Sequence, residues 1–259
     1  PFEKEDLTLA DLDAHPWPSP TKTDAEGLRR EAERLRRETD CALVVHVPGR
    51  IFSLGQFMCG FENWLVQLKV NPEFCEALLD RALDIQLAMA DETLKAVGDA
   101  ADILYLADDY GIQTGPLISP ALFRAIFKPR MARLIRFLRE RSPATIAFHS
   151  CGSVYALIPD FIDVGVQVLN PVQVAAADMD TARLRREFGQ HLVFWGAIDT
   201  QQVLPKGTPD DVRAEVARRV QDLSPGYIPA SVHNIQAEVP PQNIVAMFEA
   251  LTRLRSRTA

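Results

Sequence analysis

Several things are scarce in this chain of 259 residues, and each scarcity removes a class of protein. No apolar run approaches the roughly 20 residues that a membrane-spanning helix needs. No secretory leader pattern opens the chain, so no membrane partner is expected. Positive charge is in deficit. The 28 Lys and Arg against 35 Asp and Glu leave a formal charge of −7, which argues against general nucleic-acid binding, because a phosphate backbone needs a cationic face. Arginines do cluster between Arg29 and Arg37, but Glu26, Glu31, Glu33 and Glu38 alternate with them, the pattern of a solvated helix face. Cysteine is sparse too. The 4 cysteines show neither C-x-x-C spacing nor a secreted disulfide framework, so a reducing cytoplasm is the expected compartment. Cys41 opens a strand pattern and Cys75 sits in a helical one, and both read as core thiols; Cys59 leans structural. No G-x-G-x-x-G opens a helix after a strand, which weakens a dinucleotide-binding reading.

What is present is an alternation of strands and helices. Residues 1–23 are polar and proline-rich (His15-Pro16-Trp17-Pro18-Ser19-Pro20) and predict an extended lead-in. Asp24 caps a helix to about Thr39. Strands are then expected over Cys41–Val47, Ile103–Ala107, Thr145–Phe148, Val166–Leu169, Leu192–Ile198 and Tyr227–Val232, each followed by helix. Asn71-Pro72 and Ser119-Pro120 open two of the helices. Strict βα alternation implies parallel strands with right-handed crossovers. The fold class is α/β, a distorted (β/α)8 TIM-type barrel forming one domain over 1–259, with lead-in and helix over 1–40 and the barrel core over 41–259. An open doubly wound sheet is the alternative. A barrel needs eight strands and six are visible. The chain opens at Pro1 without methionine, and the other two are expected upstream or in stretches too irregular to read.

In parallel α/β folds chemistry gathers where strands end. Here the ends read Val47-Pro48-Gly49-Arg50, Asp108-Asp109-Tyr110-Gly111, His149-Ser150-Cys151-Gly152, Asn170-Pro171, Asp199-Thr200 and His233-Asn234. Nearly every one carries a polar or ionisable group. Thr145, Ala147, His149 and Cys151 share one strand face, so an imidazole and a thiolate leave the same end. His233 closes a strand in the same phase. Two imidazoles and a thiolate would make three of four tetrahedral zinc ligands, leaving the fourth position open. The structural alternative is a hydrogen-bonded histidine beside an inert thiol. A Cys–His nucleophile pair is disfavoured, since residues two apart on a strand lie roughly 6–7 Å apart.

Asp108 and Asp109 point to opposite faces, so one at most enters a cavity and the other caps a turn. The inward acid would hold a cationic group, act in acid–base work or ligate a metal. Asp199 carries the same two readings. Gln113 could orient a polar ligand, and Arg50 could take a carboxylate or phosphate in bidentate fashion or stand as a rim residue.

The segments Met58-Cys59-Gly60-Phe61-Glu62, Asn71-Pro72-Glu73, Asp108-Asp109-Tyr110-Gly111, Ile118-Ser119-Pro120, Lys128-Pro129-Arg130, His149-Ser150-Cys151-Gly152, Leu169-Asn170-Pro171-Val172-Gln173, Phe194-Trp195-Gly196-Ala197-Ile198-Asp199 and Pro240-Pro241-Gln242-Asn243-Ile244 together resemble the uroporphyrinogen decarboxylase superfamily. The resemblance covers roughly residues 41–250 and implies a distorted (β/α)8 barrel. It divides between two chemistries. The haem-pathway decarboxylases use no metal and carry an N-terminal P-x-W-x-x-R-Q-x-G-R motif, which this chain does not contain. The cobalamin methyltransferase branch carries H-x-C-G and a further zinc ligand, usually Cys, far downstream. Here His149-Ser150-Cys151-Gly152 is kept, His233 stands at the downstream position, and Gln242 replaces the usual Glu before Asn243.

The resemblance therefore implies a zinc-dependent methyltransferase. Its metal ligands would be His149, Cys151 and His233, with Asp108, Asp109 and Asn170 in catalytic roles and Arg50, Gln113, Asp199 and Asn234 around a small-molecule substrate. A corrinoid carried by a partner protein would be the methyl donor, and a thiol or folate-type compound the acceptor. Cofactor-free decarboxylation of a tetrapyrrole carboxylate is the alternative, with Asp108 or Asp109 stabilising a protonated pyrrole-type intermediate and Arg50 on the carboxylates. A non-catalytic binding module on the same barrel is the third reading.

Overall fold

The computed structural model describes residues 1–19 and 24–258. In chain order the strands are β1 (Val44–His46), β2 (Ile103–Ala107), β3 (Gly111–Ile112), β4 (Gly115–Pro116), β5 (Thr145–His149), β6 (Val168–Asn170), β7 (Val193–Ile198) and β8 (Tyr227–Ser231). The helices are α1 (Leu9–Ala14), α2 (Ala25–Glu38), α3 (Phe52–Cys59), α4 (Phe61–Val70), α5 (Pro72–Val97), α6 (Pro120–Leu122), α7 (Lys128–Arg139), α8 (Ile158–Val164), α9 (Thr181–Phe188), α10 (Val203–Lys206), α11 (Pro209–Leu223) and α12 (Pro241–Thr258). Among the described residues six strands, not the eight of a complete barrel, form the parallel sheet, in the order β1-β2-β5-β6-β7-β8; β3 and β4 pair separately and antiparallel. The class is α/β, as the alternation predicts. Among the described residues no helix is long and apolar enough to cross a membrane.

The chain divides into two compact units. The first holds Pro1–Asp109, Ile118–Phe148 and Asp163–Gly165; the second holds Tyr110–Leu117, His149–Ile162 and everything from Val166 onward. In the first unit β1 and β2 run parallel with Val44 opposite Ile103. Period-two burial is visible along β2, where Leu104 and Leu106 are buried and Ile103, Tyr105 and Ala107 are half-buried. That alternation marks a strand packed on helices on one side only. The helices start where the sequence chemistry says they should. Asp24 accepts from the Gly27 N–H, and Asn71 accepts from the Phe74 N–H with Pro72 behind it, each satisfying an orphan donor of a first turn. Arg130, nearly buried, grips Asp80 through Nε (2.7 Å) and a second nitrogen (2.8 Å) and so ties α7 to α5.

Three expectations are corrected here. The lead-in is not wholly extended: Leu9–Ala14 is helical, because Thr8 and Asp11 form a capping box, with the Thr8 N–H donating to Asp11 at 2.8 Å. Residues 20–23 of that stretch lie outside the described residues. The first strand is shorter than expected and begins at Val44, which leaves Cys41 exposed and not a core thiol. Cys59 and Cys75 are buried, and burial pushes their thiols up to about 11 and about 12, so both are inert. The third correction concerns Asp108. It is 3% exposed, and its carboxylate accepts the backbone N–H groups of Ile51 (2.9 Å), Phe52 (2.7 Å) and Ser53 (2.8 Å) and the Ser53 hydroxyl (2.6 Å). Both oxygens are engaged in capping α3, the turn-capping role and not the catalytic one. Burial pushes its pKa up, while those four donors pull it down.

In the second unit β6, β7 and β8 are parallel neighbours, with Val168 opposite Val193 and Phe194 opposite Tyr227. Ile198, Leu204, Val212, Val216, Ala246 and Met247 form a buried cluster under α11 and α12. Inside the same layer Arg219 donates to Glu215 (2.8 Å) and to the Thr181 hydroxyl (2.8 Å), so a buried cation is paired with a buried carboxylate.

Because Asp108 serves α3, replacing it with Ala is expected to reduce unfolding free energy by about 1–3 kcal/mol. Urea denaturation should show this as a lower midpoint at unchanged slope.

Candidate metal centre

The second unit brings His149 at the end of β5, Asn170 at the end of β6 and His233 beyond β8 into one polar cluster. His149 is the last residue of β5, and the chain breaks from the sheet immediately after it. Cys151 is therefore not two places further along a straight strand. Its Sγ lies 3.2 Å from His149 Nε2, roughly half the strand spacing that disfavours a Cys–His pair in the sequence. The turn depends on glycine. Gly152 has φ +80°, and a Cβ there would stand 2.4 Å from the Gly111 carbonyl carbon; a Cβ on Gly111 would stand 2.6 Å from the Cys151 carbonyl oxygen. Two bare backbones cross at this point. Hydrogen bonds hold the crossing: Ser153 N–H to the Ile112 carbonyl (2.8 Å), Tyr110 N–H to the Ser150 hydroxyl (2.9 Å) and Ser150 N–H to the Asn170 carbonyl (2.8 Å).

His233, two residues past β8, completes the cluster, its Nε2 being 3.4 Å from Cys151 Sγ. The two imidazole centroids are 6.4 Å apart at 80°. His149 and Cys151 are half-buried and His233 is exposed.

The protons in this cluster follow from two backbone groups. Asn170 Nδ2 donates to the Trp195 carbonyl (3.2 Å), so its Oδ1 is the atom facing His149 Nδ1 at 2.6 Å. His149 Nδ1 must therefore carry the hydrogen, and Nε2 of the neutral ring is a bare acceptor facing sulfur. At the other end the Asn234 N–H donates to His233 Nδ1 (3.2 Å), which places the ring hydrogen of neutral His233 on Nε2, also facing sulfur. The thiol between them takes a hydrogen bond from His233 and gives one to His149.

The remaining expected site residues fall as follows. Asn170 is buried and acts through its amide. Asp199 is buried, and its Oδ1 accepts the N–H groups of Gln201 (2.6 Å) and Gln202 (3.0 Å), closing the turn into α10. Gln113 donates to the Ala175 carbonyl and accepts from Gln173 Nε2 (3.0 Å). Asn234 is exposed and reaches the cluster through its backbone alone. Asp109 is exposed at the end of β2, and Arg50 follows β1; both belong to the first unit. One residue was not singled out from sequence. Gln173 is buried, and its Oε1 accepts the Gly152 N–H at 2.8 Å, holding the residue next to the thiol. Its only sequence signal is its place in Leu169-Asn170-Pro171-Val172-Gln173.

A zinc ion would suit the spacing of the His149–Cys151 pair. Zn–S and Zn–N bonds of about 2.3 and 2.0 Å at a tetrahedral angle put sulfur and nitrogen about 3.5 Å apart, against 3.2 Å for His149 and 3.4 Å for His233. The donor atoms of His149, Cys151 and His233 do not all lie within 4.8 Å of one another, so His233 must swing inward to share an ion with the other two. His149 can accept an ion as it stands, and Cys151 once its thiol proton leaves. His233 must first surrender its Nε2 hydrogen, which requires the Asn234 contact to open.

Residues 2–254 match the family model described as Uroporphyrinogen decarboxylase (URO-D). The chain belongs to the uroporphyrinogen decarboxylase family. Its relatives within that family are of two kinds. A methylated-thiol–coenzyme M methyltransferase of Methanosarcina mazei is 28% identical over 184 residues, covering 70% of this chain and 46% of that protein. A uroporphyrinogen decarboxylase of Ectopseudomonas mendocina is 26% identical over 262 residues, covering 98% and 70%. The chain thus spans less than half the length of the first relative. Among solved structures, a methyltransferase from Methanosarcina mazei aligns with a TM-score of 0.69 at 19% identity, over 89% of this chain and 64% of that one. At that identity the likeness is one of fold.

Imidazole 15N NMR of the metal-free protein should show His149 as the Nδ1–H tautomer. Asn170→Leu, which removes the acceptor, should shift His149 toward a mixture of tautomers while His233 keeps its Nε2 hydrogen.

Proposed function

We propose that this family member is a zinc-dependent methyltransferase acting with a corrinoid protein, its methyl acceptor a thiol or folate-type compound. The observation that carries the reading is the placement of two imidazole nitrogens, from segments 82 residues apart, each within 3.4 Å of one thiol. A structural histidine needs one partner, not a soft-donor set with both rings turned toward the sulfur. The methyltransferase relatives add support: their names specify methyl transfer to coenzyme M, and in two cases from a methylcobamide.

When bound, zinc would hold an acceptor thiol as its thiolate at neutral pH. The chain's own residues prepare that position. Asn170 keeps the His149 ring turned so that Nε2 faces the sulfur. Gln173, through Gly152, fixes the backbone from which the Cys151 sulfur projects. Asp109, exposed at the end of β2, is retained as the acid that orients the acceptor; Asp108 is not. Gln113, Asp199 and Asn234 act on the site through the loops they hold. A reducing cytoplasm, in which the free thiols persist, is the compartment proposed for it.

Elemental analysis of protein purified without chelator should find about one zinc per chain. His149→Ala and Cys151→Ala should abolish it, and His233→Ala should weaken binding by about 10–100-fold while retaining some metal. Methylcobalamin and a thiol acceptor should give zinc-dependent methyl transfer. Metal-free protein that instead decarboxylates uroporphyrinogen, insensitive to chelator, would overturn the proposal in favour of the decarboxylase reading.

A further inference from the structure

Helix α7 is cationic on two sides, and one of them is matched acid by acid. On that side Arg130 takes Asp80 at 2.7 and 2.8 Å and reaches Glu76 (3.2 Å). Arg133 takes Asp84 (2.7 Å), and Arg141, just past the helix, takes Asp91 (2.9 Å). All four acids stand on α5, at spacings of four, four and seven residues, so they share one side of that helix.

On the other side the cations outnumber their partners. At 3.6 residues per turn Lys128, Arg136 and Arg139 fall opposite Arg130, and Arg124 precedes them in the wide helical turn Phe123–Phe127. Together they line a groove of about 580 Å³ whose far wall is the end of α8. Lys128 is held by Asp163 (2.7 Å). Arg136 and Arg139 are exposed and make no side-chain hydrogen bond or ion pair among the described residues. Arg139 lies against Gly165, where a Cβ would stand 3.0 Å from Nη1, and finds no acceptor there. In a chain with a formal charge of −7 this is a local excess of positive charge. Every residue of the groove belongs to the first unit.

We infer that this face of α7 is the docking surface for an acidic helix of a partner protein. Its length, its apolar content and its own acids select that occupant. The cations from Arg124 to Arg139 span roughly 22 Å at 1.5 Å per residue, too long for one phosphate or dicarboxylate and equal to about four turns of a second helix. Accessible apolar surface from Pro129, Ala132 and Val164 lies among them, so the partner segment is amphipathic and not a bare polyanion. Asp163 and Glu140 interrupt the row. A nucleic-acid strand carries a phosphate about every 3.4 Å and would be repelled at both, whereas acids on a helix can be spaced to miss them. The packing of α5 on the matched side shows the same pairing within the chain. The surface stands whether or not the metal centre does.

Fluorescence anisotropy with two labelled amphipathic peptides of about 20 residues, long enough to be helical alone, tests it. In the first, four glutamates repeat the four-four-seven spacing of α5; in the second the same glutamates are scattered around the helix. The expected result is saturable binding of the patterned peptide at one site per chain, about tenfold tighter than the scattered one and weakening as salt is raised. Arg136→Gln/Arg139→Gln should remove that preference. Glutamine serves better than an acid here, because an acid in the last turn of α7 would oppose the helix dipole. Arg29→Gln/Arg30→Gln on α2 changes the net charge equally and should leave the preference intact. Arg136 and Arg139 are exposed and unpaired, so the groove variant is expected to keep the parent's melting temperature. Equal affinity for the two peptides, a groove variant that binds like the parent, or no binding of either overturns the inference. A single-stranded oligonucleotide that binds more tightly than the patterned peptide would overturn it by making the partner a nucleic acid. Self-association that is lost in the groove variant would overturn it by making the occupant a second copy.

Discussion

The side-chain amide of Asn170 makes two hydrogen bonds, and the chemistry of the centre depends on both. If it donated to the imidazole, His149 would accept at Nδ1 and turn an N–H toward the sulfur. Both rings would then donate to the same thiol, and neither could take an ion without first losing a proton. The Trp195 carbonyl prevents that, because a carbonyl can only accept, so the amide nitrogen must face β7 and the amide oxygen β5. A backbone group with no chemistry of its own thereby decides where a proton sits on a side chain it does not touch. Asn170 can relay that information because β6 lies between β5 and β7 in the sheet and its last residue is level with Trp195. This is a fixed outer contact of the kind that sets ligand tautomers in metal sites generally.

The same cluster needs the chain to leave β5 abruptly, and there the constraint is steric. Gly152 and Gly111 face each other with backbone atoms where side chains would be. A side chain on either would push the loop outward and take the Cys151 sulfur with it. The ladder of Ser153, Ile112, Ser150 and Tyr110 around the crossing supplies the hydrogen bonds that leaving the sheet would otherwise forfeit. Position of the thiol is thus a property of the backbone, and Gln173 locks it from the far side.

This division explains what could and could not be read from the residues alone. Local chemistry was legible. The Asp24 and Asn71 caps, the period-two burial of β2 and the polar strand ends are all written in spacings of two to four residues. The phase of His149 and His233 was legible for the same reason. The separation of His149 from Cys151 was not, since it is set by a left-handed backbone and by the approach of residue 111 from 40 positions away. Which of two adjacent acids turns inward was not legible either. Alternation says only that Asp108 and Asp109 oppose each other; the N-terminus of α3, more than 50 residues earlier, claims Asp108 with four donors. The helix in the lead-in escaped because its capping box spans only Thr8–Asp11, ahead of a proline-rich run that dominates the composition.

The residue at position 233 bears on what kind of centre this is. By resemblance, the methyltransferase branch usually has a second cysteine there. One thiolate and two neutral imidazoles leave a single net positive charge on a dication, whereas two thiolates leave none. The more positive centre acidifies a bound thiol more strongly, so more of it is ionised at a given pH. Yet intrinsic thiolate nucleophilicity falls as pKa falls, so the same change tempers the reactivity of what is ionised. The two effects oppose each other. The histidine also holds its hydrogen on the wrong nitrogen until Asn234 lets go, so it would be the weakest of the three proposed donors; it is also the one nearest solvent. A centre built from two preset ligands and one conditional ligand would load metal less tightly than a two-thiolate site, and its third position would be the one from which an incoming ligand could most easily displace a side chain.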